Sequence, residues 1–363
     1  MKLVPEVYFL VSKADVGGAT TYVHNLKKEF PNSSLTYLYG GNAKNRIESE
    51  GKILLDKERL SGLDWLYLLF KLRSFLRSAK GNVISVHSTE ASLLLRMASI
   101  FCLDSPKIVF TVHGWGWRGK NRFLQLTMMF IEFLFYHLTR CHYVFLYQGM
   151  SEENLFMTYF ADRFDVVLTG KNIKSEIEVF GNRKNNKVLF PARLDYAKRH
   201  VDALKILLQS SELTLTYAGY GTDSKEFKEV IAEKCSEYGI DKSRIEFYGL
   251  ARNISDLYAT HGIVLLISRF EALPMVLLEG ASFGCLCIAN NVGGNASIIR
   301  DLDSGLLLDE SIELRDEQYI FLTRYLSDDL FAKNVSSKAK GLVNLKFSKS
   351  EMIKSYSTIF SKT

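Results

Sequence analysis

The sequence predicts two doubly wound α/β domains, each a parallel sheet with helices on both faces. Three observations carry that expectation. The 363 residues exceed what one ordinary core accommodates, so two domains are the natural division. Both halves alternate short apolar runs with stretches of helical periodicity. The runs are continuous in Val, Ile, Leu and Phe rather than interrupted every second residue, as in strands buried on both faces.

In the first half the expected strands are residues 6–11, 35–39, 83–87, 107–113, 143–147 and 166–169. In the second half they are 188–191, 213–218, 245–248, 262–267, 285–289 and 306–308. The polar stretch GNRKNNK at 181–187 lacks apolar periodicity and reads as a linker. That sets the domains at 1–180 and 181–345, with 346–363 a C-terminal helix crossing back to the first domain. In such sheets ligands sit beyond the carboxyl ends of the strands. Functional residues are therefore expected in strand-end loops lining an interdomain cleft.

Composition excludes some classes. Hydrophobic content of 47% and charged content of 24% belong to a soluble globular protein. A net charge of +6 suits anionic nucleotide substrates or an anionic membrane surface. No block of Lys and Arg reads as a nucleic-acid arm, so no nucleic-acid partner is expected. The five cysteines (Cys102, Cys141, Cys235, Cys285 and Cys287) show no metal-ligand spacing, and Cys285 and Cys287 share one strand face as small buried hydrophobes. Their odd number and the lack of a secretory signal argue for a reducing cytoplasm. Residues 123–138, FLQLTMMFIEFLFYHL, are short for a membrane span and interrupted by Gln125, Glu132 and His137. They are expected as a long helix packed inside the first domain. Residues 64–80 are amphipathic with Lys71, Arg73, Arg77 and Lys80, suiting a plain surface helix or one resting on lipid headgroups.

The chemistry concentrates in residues 268–294, SRFEALPMVLLEGASFGCLCIANNVGG. Pro274 suits the first helical position, where its missing N–H costs nothing. Gly284 supplies the left-handed residue of a helix C-terminus, about ten residues on. The N-terminus of that helix, at the exit of a parallel strand, presents N–H groups and a positive dipole end to an anion. Glu271 and Glu279 frame it, and carboxylates accept hydrogen bonds from sugar hydroxyls. Anion-binding backbone between two hydroxyl acceptors points to a sugar nucleotide.

The run FEALPMVLLEGAS resembles the E-x7-E signature of family-four retaining glycosyltransferases, which have the two-domain GT-B fold; Ala272 stands where the signature usually has Gly. The resemblance implies a nucleotide-sugar donor in the second domain and a glycan or polyprenyl-linked acceptor in the first, with no cofactor and no metal. Glu271 would contact the donor sugar, Ala272, Leu273 and Pro274 would line the donor site, and Glu279 would take ribose hydroxyls. In FPARLDYAKR at 190–199, Arg193 and Lys198 match the basic pair that binds the donor diphosphate. Such cations stabilise the charge that builds on the leaving phosphate, Arg as a fork and Lys as a point charge. Gly219 in AGYGT and the pair Gly249 and Leu250 in FYGL would build the base and ribose pocket. Gly17 and Gly18 in DVGGAT would face the donor phosphates or the acceptor.

In TVHGWGWRG, His113 resembles the strand-end histidine beside the donor sugar, and Trp115 and Trp117 suit either an acceptor platform or buried packing. The same loop nominally matches a dinucleotide fingerprint. That reading is rejected, because Glu132 falls mid-helix and the loop follows the fourth strand of its domain. Near Asn172 the usual Asn-Gly order is scrambled, so only Gly170 is carried over. Asp301-Leu302-Asp303 reads as a turn rather than a metal site.

The expected catalytic set is therefore His113, Glu271, Arg193 and Lys198. They would serve a retaining, metal-independent hexosyltransferase that uses a UDP- or GDP-sugar in cell-surface polysaccharide biosynthesis, in the cytoplasm at the inner membrane face. The rival readings are a non-catalytic partner subunit of a glycosyltransferase, a nicotinamide-dependent dehydrogenase, and a sugar-nucleotide epimerase.

Overall fold

A computed structural model describes residues 5–14, 18–41, 51–100, 102, 105–157, 163–170 and 183–361. The chain divides into two compact units. One comprises residues 1–170 with 349–363, the other residues 171–348. The C-terminal helix Lys349–Ser361 thus belongs to the first unit.

The first unit holds β1 (Val7–Lys13), β2 (Ser33–Tyr39), β3 (Lys52–Leu55), β4 (Val83–Val86), β5 (Lys107–Val112), β6 (Cys141–Phe145) and β7 (Phe164–Val166). They form one sheet in the order β3-β2-β1-β4-β5-β6-β7, every pair parallel. The second unit holds β8 (Lys184–Pro191), β9 (Thr214–Ala218), β10 (Ile245–Gly249), β11 (His261–Leu266), β12 (Leu286–Asn290) and β13 (Gly305–Leu308). Its order is β10-β9-β8-β11-β12-β13, again parallel throughout. In each sheet the strand order reverses once, at β1/β4 and at β8/β11, where crossovers diverge and leave a crevice beyond the strand ends.

Apolar continuity explains the central strands. All residues of β4, β11 and β12 are buried. Around β8 and β11, Val188, Phe190, Ile263, Leu265, Leu286 and Leu306 join one core with Phe227, Phe321 and Tyr325 from the covering helices.

Three expectations need correction. The stretch 181–187 is not simply a linker, because residues 184–187 form the first half of β8. Their polar side chains lie at the partly exposed entry of the strand, and burial begins only at Val188. The short strand β3 was not expected, for its four residues at a sheet edge are exposed or half-buried. Residues 123–138 fall in the helix Arg122–Leu138, but that helix is not enclosed: Phe123, Phe130, Leu134 and Leu138 are exposed.

What this helix turns inward is its one carboxylate. Glu132 accepts hydrogen bonds from Arg96 Nη2 at 2.8 Å and Tyr143 Oη at 2.7 Å. Arg96 is fully buried, bonds Tyr143 Oη at 2.6 Å, and lies over the Phe110 and Phe135 rings. Burial pushes the Tyr143 phenol well above its ordinary value. A buried ion pair adds little net stability, yet breaking it strands a charge in a low-dielectric interior. Arg96→Met should therefore cost about 3–5 kcal/mol in denaturant unfolding. Adding Glu132→Leu to Arg96→Met should recover most of that loss.

Candidate functional site

The second unit brings several expected residues together at its β8/β11 switch point. The β8 chain leaves the sheet through Ala192, Arg193 and Leu194 into a short turn, Tyr196–Lys198, capped by Asp195, whose Oδ1 accepts from Ala197 N at 2.9 Å. The β11 chain leaves through Ile267 and Ser268. Two backbone and side-chain bonds join these exits. Arg269 N donates to Ala197 O at 2.7 Å, and Lys198 Nζ bonds Glu271 Oε1 at 2.5 Å. Buried Ser268 donates its hydroxyl to the same oxygen at 2.6 Å. The Arg269 guanidinium lies 4.3 Å from the Tyr196 ring centroid. Arg193 projects half-exposed, 3.3 Å from Asp195.

Glycines allow these loops to press together. A Cβ on Gly219 would fall 2.1 Å from Ala192 O, so only glycine lets the β9 exit lie against the β8 exit. Leu194 N then bonds Tyr220 O at 2.8 Å, and Gly219 N bonds Gly249 O at 2.7 Å, linking β8, β9 and β10 in series. Gly249 has φ +70°, which favours glycine, and Leu250 beside it is exposed. On the other side, a Cβ on Gly293 would fall 2.0 Å from Glu271 O, and Gly294 N bonds Ala272 O at 2.6 Å.

The helix of the central stretch is Met275–Phe283, with Gly284 at φ 79° closing it in the left-handed conformation. Pro274 is its N-cap rather than its first helical residue, because its ψ of 119° is still extended. Among the described residues no side chain caps this N-terminus. Ala272 and Leu273 are buried, so what they offer a ligand is backbone. Glu279 lies one turn further in, and its Oε2 accepts from the buried Tyr258 hydroxyl at 3.1 Å. Burial first, and then the Glu279 charge, push Tyr258 well above its ordinary value.

His113 sits in the first unit, just past β5. Its Nε2 lies 3.0 Å from His87 Nδ1, and His87 Nε2 lies 2.9 Å from Ser85 Oγ. Tyr22 packs edge-on against His113 at 4.8 Å, and its hydroxyl donates to Tyr356 Oη at 2.9 Å. Tyr356, on the C-terminal helix, also bonds Thr111 Oγ1 at 2.9 Å. Loss of solvation lowers His113 to about 4 and holds His87 well below 6.5, so both rings are neutral at pH 7. Trp115 and Trp117 stack on each other at 4.4 Å, each 3% exposed, and so present no platform for a ring. Gly18 opens the helix Gly18–Lys27 with no atom within 4 Å of a Cβ there, whereas Gly17 and Asn172 lie outside the described residues. Gly170 N bonds Met352 Sδ at 3.1 Å.

Two rejected motifs resolve into packing. Glu132 is committed to Arg96 and Tyr143. Asp301 is held by Leu307 N and Gln318 Nε2, each at 2.9 Å, and by Arg315, while Asp303 pairs with Lys338 at 2.6 Å. Residues the sequence reading missed are Ser268, Arg269, Tyr196 and His87. Only Ser268 carried a signal, as the first polar residue after a fully apolar strand.

Residues 172–340, nearly all of the second unit, match the family model for glycosyl transferases group 1. The second unit is thus similar to the group 1 glycosyl transferases. The chain shares 25% identity over 356 residues with a Campylobacter jejuni enzyme, GalNAc-alpha-(1->4)-GalNAc-alpha-(1->3)-diNAcBac-PP-undecaprenol alpha-1,4-N-acetyl-D-galactosaminyltransferase, covering 92% of each chain. It shares 24% identity over 316 residues with the Escherichia coli O-antigen biosynthesis glycosyltransferase WbnH, covering 84% of this chain and 86% of that one. The crystal structure of Anabaena HepE in complex with UDP matches with a TM-score of 0.81 at 16% identity, over 99% of this chain and all of that one. The fold of the chain is GT-B.

The neutral histidine pair has a pH signature. Below pH 6.5 the unfolded chain binds protons at His87 and His113 that the folded chain refuses, so the contribution of this pair to unfolding free energy falls as pH drops from 6.5 toward 4 and is level above. Each histidine contributes at most about 1.4 kcal/mol per pH unit. The double variant His87→Asn/His113→Asn should show a shallower slope in that window than the parent, measured by urea unfolding at each pH.

Proposed function

We propose that the protein is a retaining, metal-independent glycosyltransferase that moves a sugar from a UDP- or GDP-sugar to a hydroxyl of a glycan or polyprenyl-linked acceptor. One observation carries this reading: Arg193, Lys198 and Glu271 converge at the β8/β11 switch point, beside the uncapped N-terminus of the Met275–Phe283 helix. Arg193, Lys198 and the helix N–H groups hold the diphosphate and take the charge that develops on the leaving oxygen. These fixed positive groups supply what a divalent cation would otherwise supply. Glu271 and Glu279 accept from the hydroxyls of the donor sugar and the ribose, Gly219, Gly249 and Leu250 border the base, and His113 shapes the reacting face as a neutral imidazole. The E-x7-E spacing supports retention, with the leaving phosphate taking the acceptor proton.

The UDP bound to Anabaena HepE supports a uridine nucleotide. The undecaprenyl diphosphate in the name of the Campylobacter jejuni relative, and the O-antigen in that of WbnH, support a lipid-linked acceptor in surface polysaccharide assembly at the inner membrane face.

The test is thermal unfolding with UDP, GDP or ADP and their sugars, followed by transfer assays. A nucleotide at about a hundred times its dissociation constant should add roughly 2.7 kcal/mol to folding. Arg193→Ala, half-exposed and outside the core, should fold normally yet lose most of that gain. An undiminished gain in Arg193→Ala would remove the diphosphate assignment. An inverted anomeric configuration in the product, read by NMR, would remove retention.

A further inference from the structure

Two helices of the first unit expose an apolar stripe to solvent besides the apolar residues that they bury. In Arg122–Leu138 the side chains of Phe123, Leu126, Phe130, Leu134 and Leu138 follow one another at three- and four-residue spacing down one face, all exposed, Phe123 by 81% and Leu138 by 63%. Its single carboxylate, Glu132, faces inward to Arg96. In Gly62–Ser78 the exposed stripe is Leu63, Leu66 and Phe70, the first 79% and the last 71% exposed. Its single carboxylate, Asp64, is buried and bonds Lys57 at 2.7 Å and Ser61 N at 2.8 Å. Cations remain outside: Lys120, Arg122 and Arg140 at the ends of the first helix, Lys71 and Arg77 on the second.

Both helices lie on the same face of the sheet. Each precedes a strand reached by moving in the same direction across it, from β3 to β4 and from β5 to β6, and right-handed crossovers place such helices on one side. The helix between them in sequence, Thr89–Ser99, makes the β4 to β5 crossover, packs against both, and adds exposed Met97 and, just past its end, Ile100.

We infer that this helical face is a docking surface for an anionic lipid bilayer, with the two helices lying in the plane of the headgroups. Apolar side chains exposed in stripes are costly in water and gain by entering the acyl boundary. The charge pattern selects the occupant. Around the stripes there are cations and no exposed carboxylate from either helix, so a second copy meeting this face would set like charges against each other. Anionic headgroups complement it, each nearby Lys or Arg adding attraction. The helices lie on the membrane and do not cross it: among the described residues no helix is long and apolar enough to span. This inference stands on the first unit and does not depend on the transfer reaction.

Co-sedimentation of the full chain with vesicles tests it. The protein should pellet with phosphatidylglycerol/phosphatidylethanolamine vesicles, far less with phosphatidylcholine, and less as salt rises from about 0.05 to about 0.5 M. Phe123→Ser/Leu138→Ser should weaken binding about tenfold or more, and Lys120→Glu/Arg122→Glu by a comparable factor on anionic vesicles only. Circular dichroism and the unfolding midpoint of each variant establish that it is folded; if one pair fails that check, Leu63→Ser/Phe70→Ser on the other helix replaces it. Absence of vesicle binding, binding undiminished in the folded variants, or a concentration-dependent dimer that Phe123→Ser/Leu138→Ser dissolves would overturn the assignment.

Discussion

The second unit depends on backbone approaching backbone more closely than any side chain permits. Gly219 lies so near Ala192 O, and Gly293 so near Glu271 O, that a single methyl group at either position would overlap an oxygen. Both glycines belong to strand-end turns rather than strands. They let the exits of β9 and β12 press on the exits of β8 and β11 from either side. Arg193, Lys198 and Glu271 are carried by the two exits so confined. Without that approach the exits would separate, and the Lys198–Glu271 bond, which spans 73 positions of sequence, would lose its geometry.

Charge is handled differently at the site and in the core. The Lys198–Glu271 pair is partly exposed, so water screens it and a competing anion can exchange with the carboxylate at modest cost. The Arg96–Glu132 pair has no such freedom, since it is enclosed by Phe110, Phe135 and Tyr143. In the role proposed for it, Lys198 would surrender its resting partner to a ligand, whereas Arg96 keeps its own. Exposure, more than residue type, separates the two roles.

Much of this was legible in the sequence because burial on both faces leaves an unmistakable mark. The runs at 262–267 and 285–289 are apolar without interruption, and both became central strands, shifted by one residue. Gly284 announced the end of its helix for the same kind of reason, a backbone conformation that other residues resist. What stayed hidden was direction. The apolar positions of 123–138 were plain, but nothing in their spacing told which side meets the sheet. The fact that decides it is Arg96, on a different helix, waiting for a buried carboxylate. Trp115 and Trp117 were ambiguous likewise, since an aromatic ring stacks on its neighbour as readily as on a ligand. The half of β8 at 184–187 escaped because pairing with β11 at Lys184 needs backbone only, and says nothing through side chains.

The two units share one topology and differ in what they place at the strand ends. The second sets fixed cations and a carboxylate there, the equipment for an anion with hydroxyl groups attached. The first sets an uncharged relay there, Ser85, His87 and His113, braced by Tyr22 and Tyr356. A histidine at its ordinary pKa would be partly cationic near neutrality. Desolvation prevents this at both rings, and at His87 the neighbouring His113 adds to it. The same doubly wound frame serves both tasks because its strand ends are loops, free to differ while the buried strands stay alike.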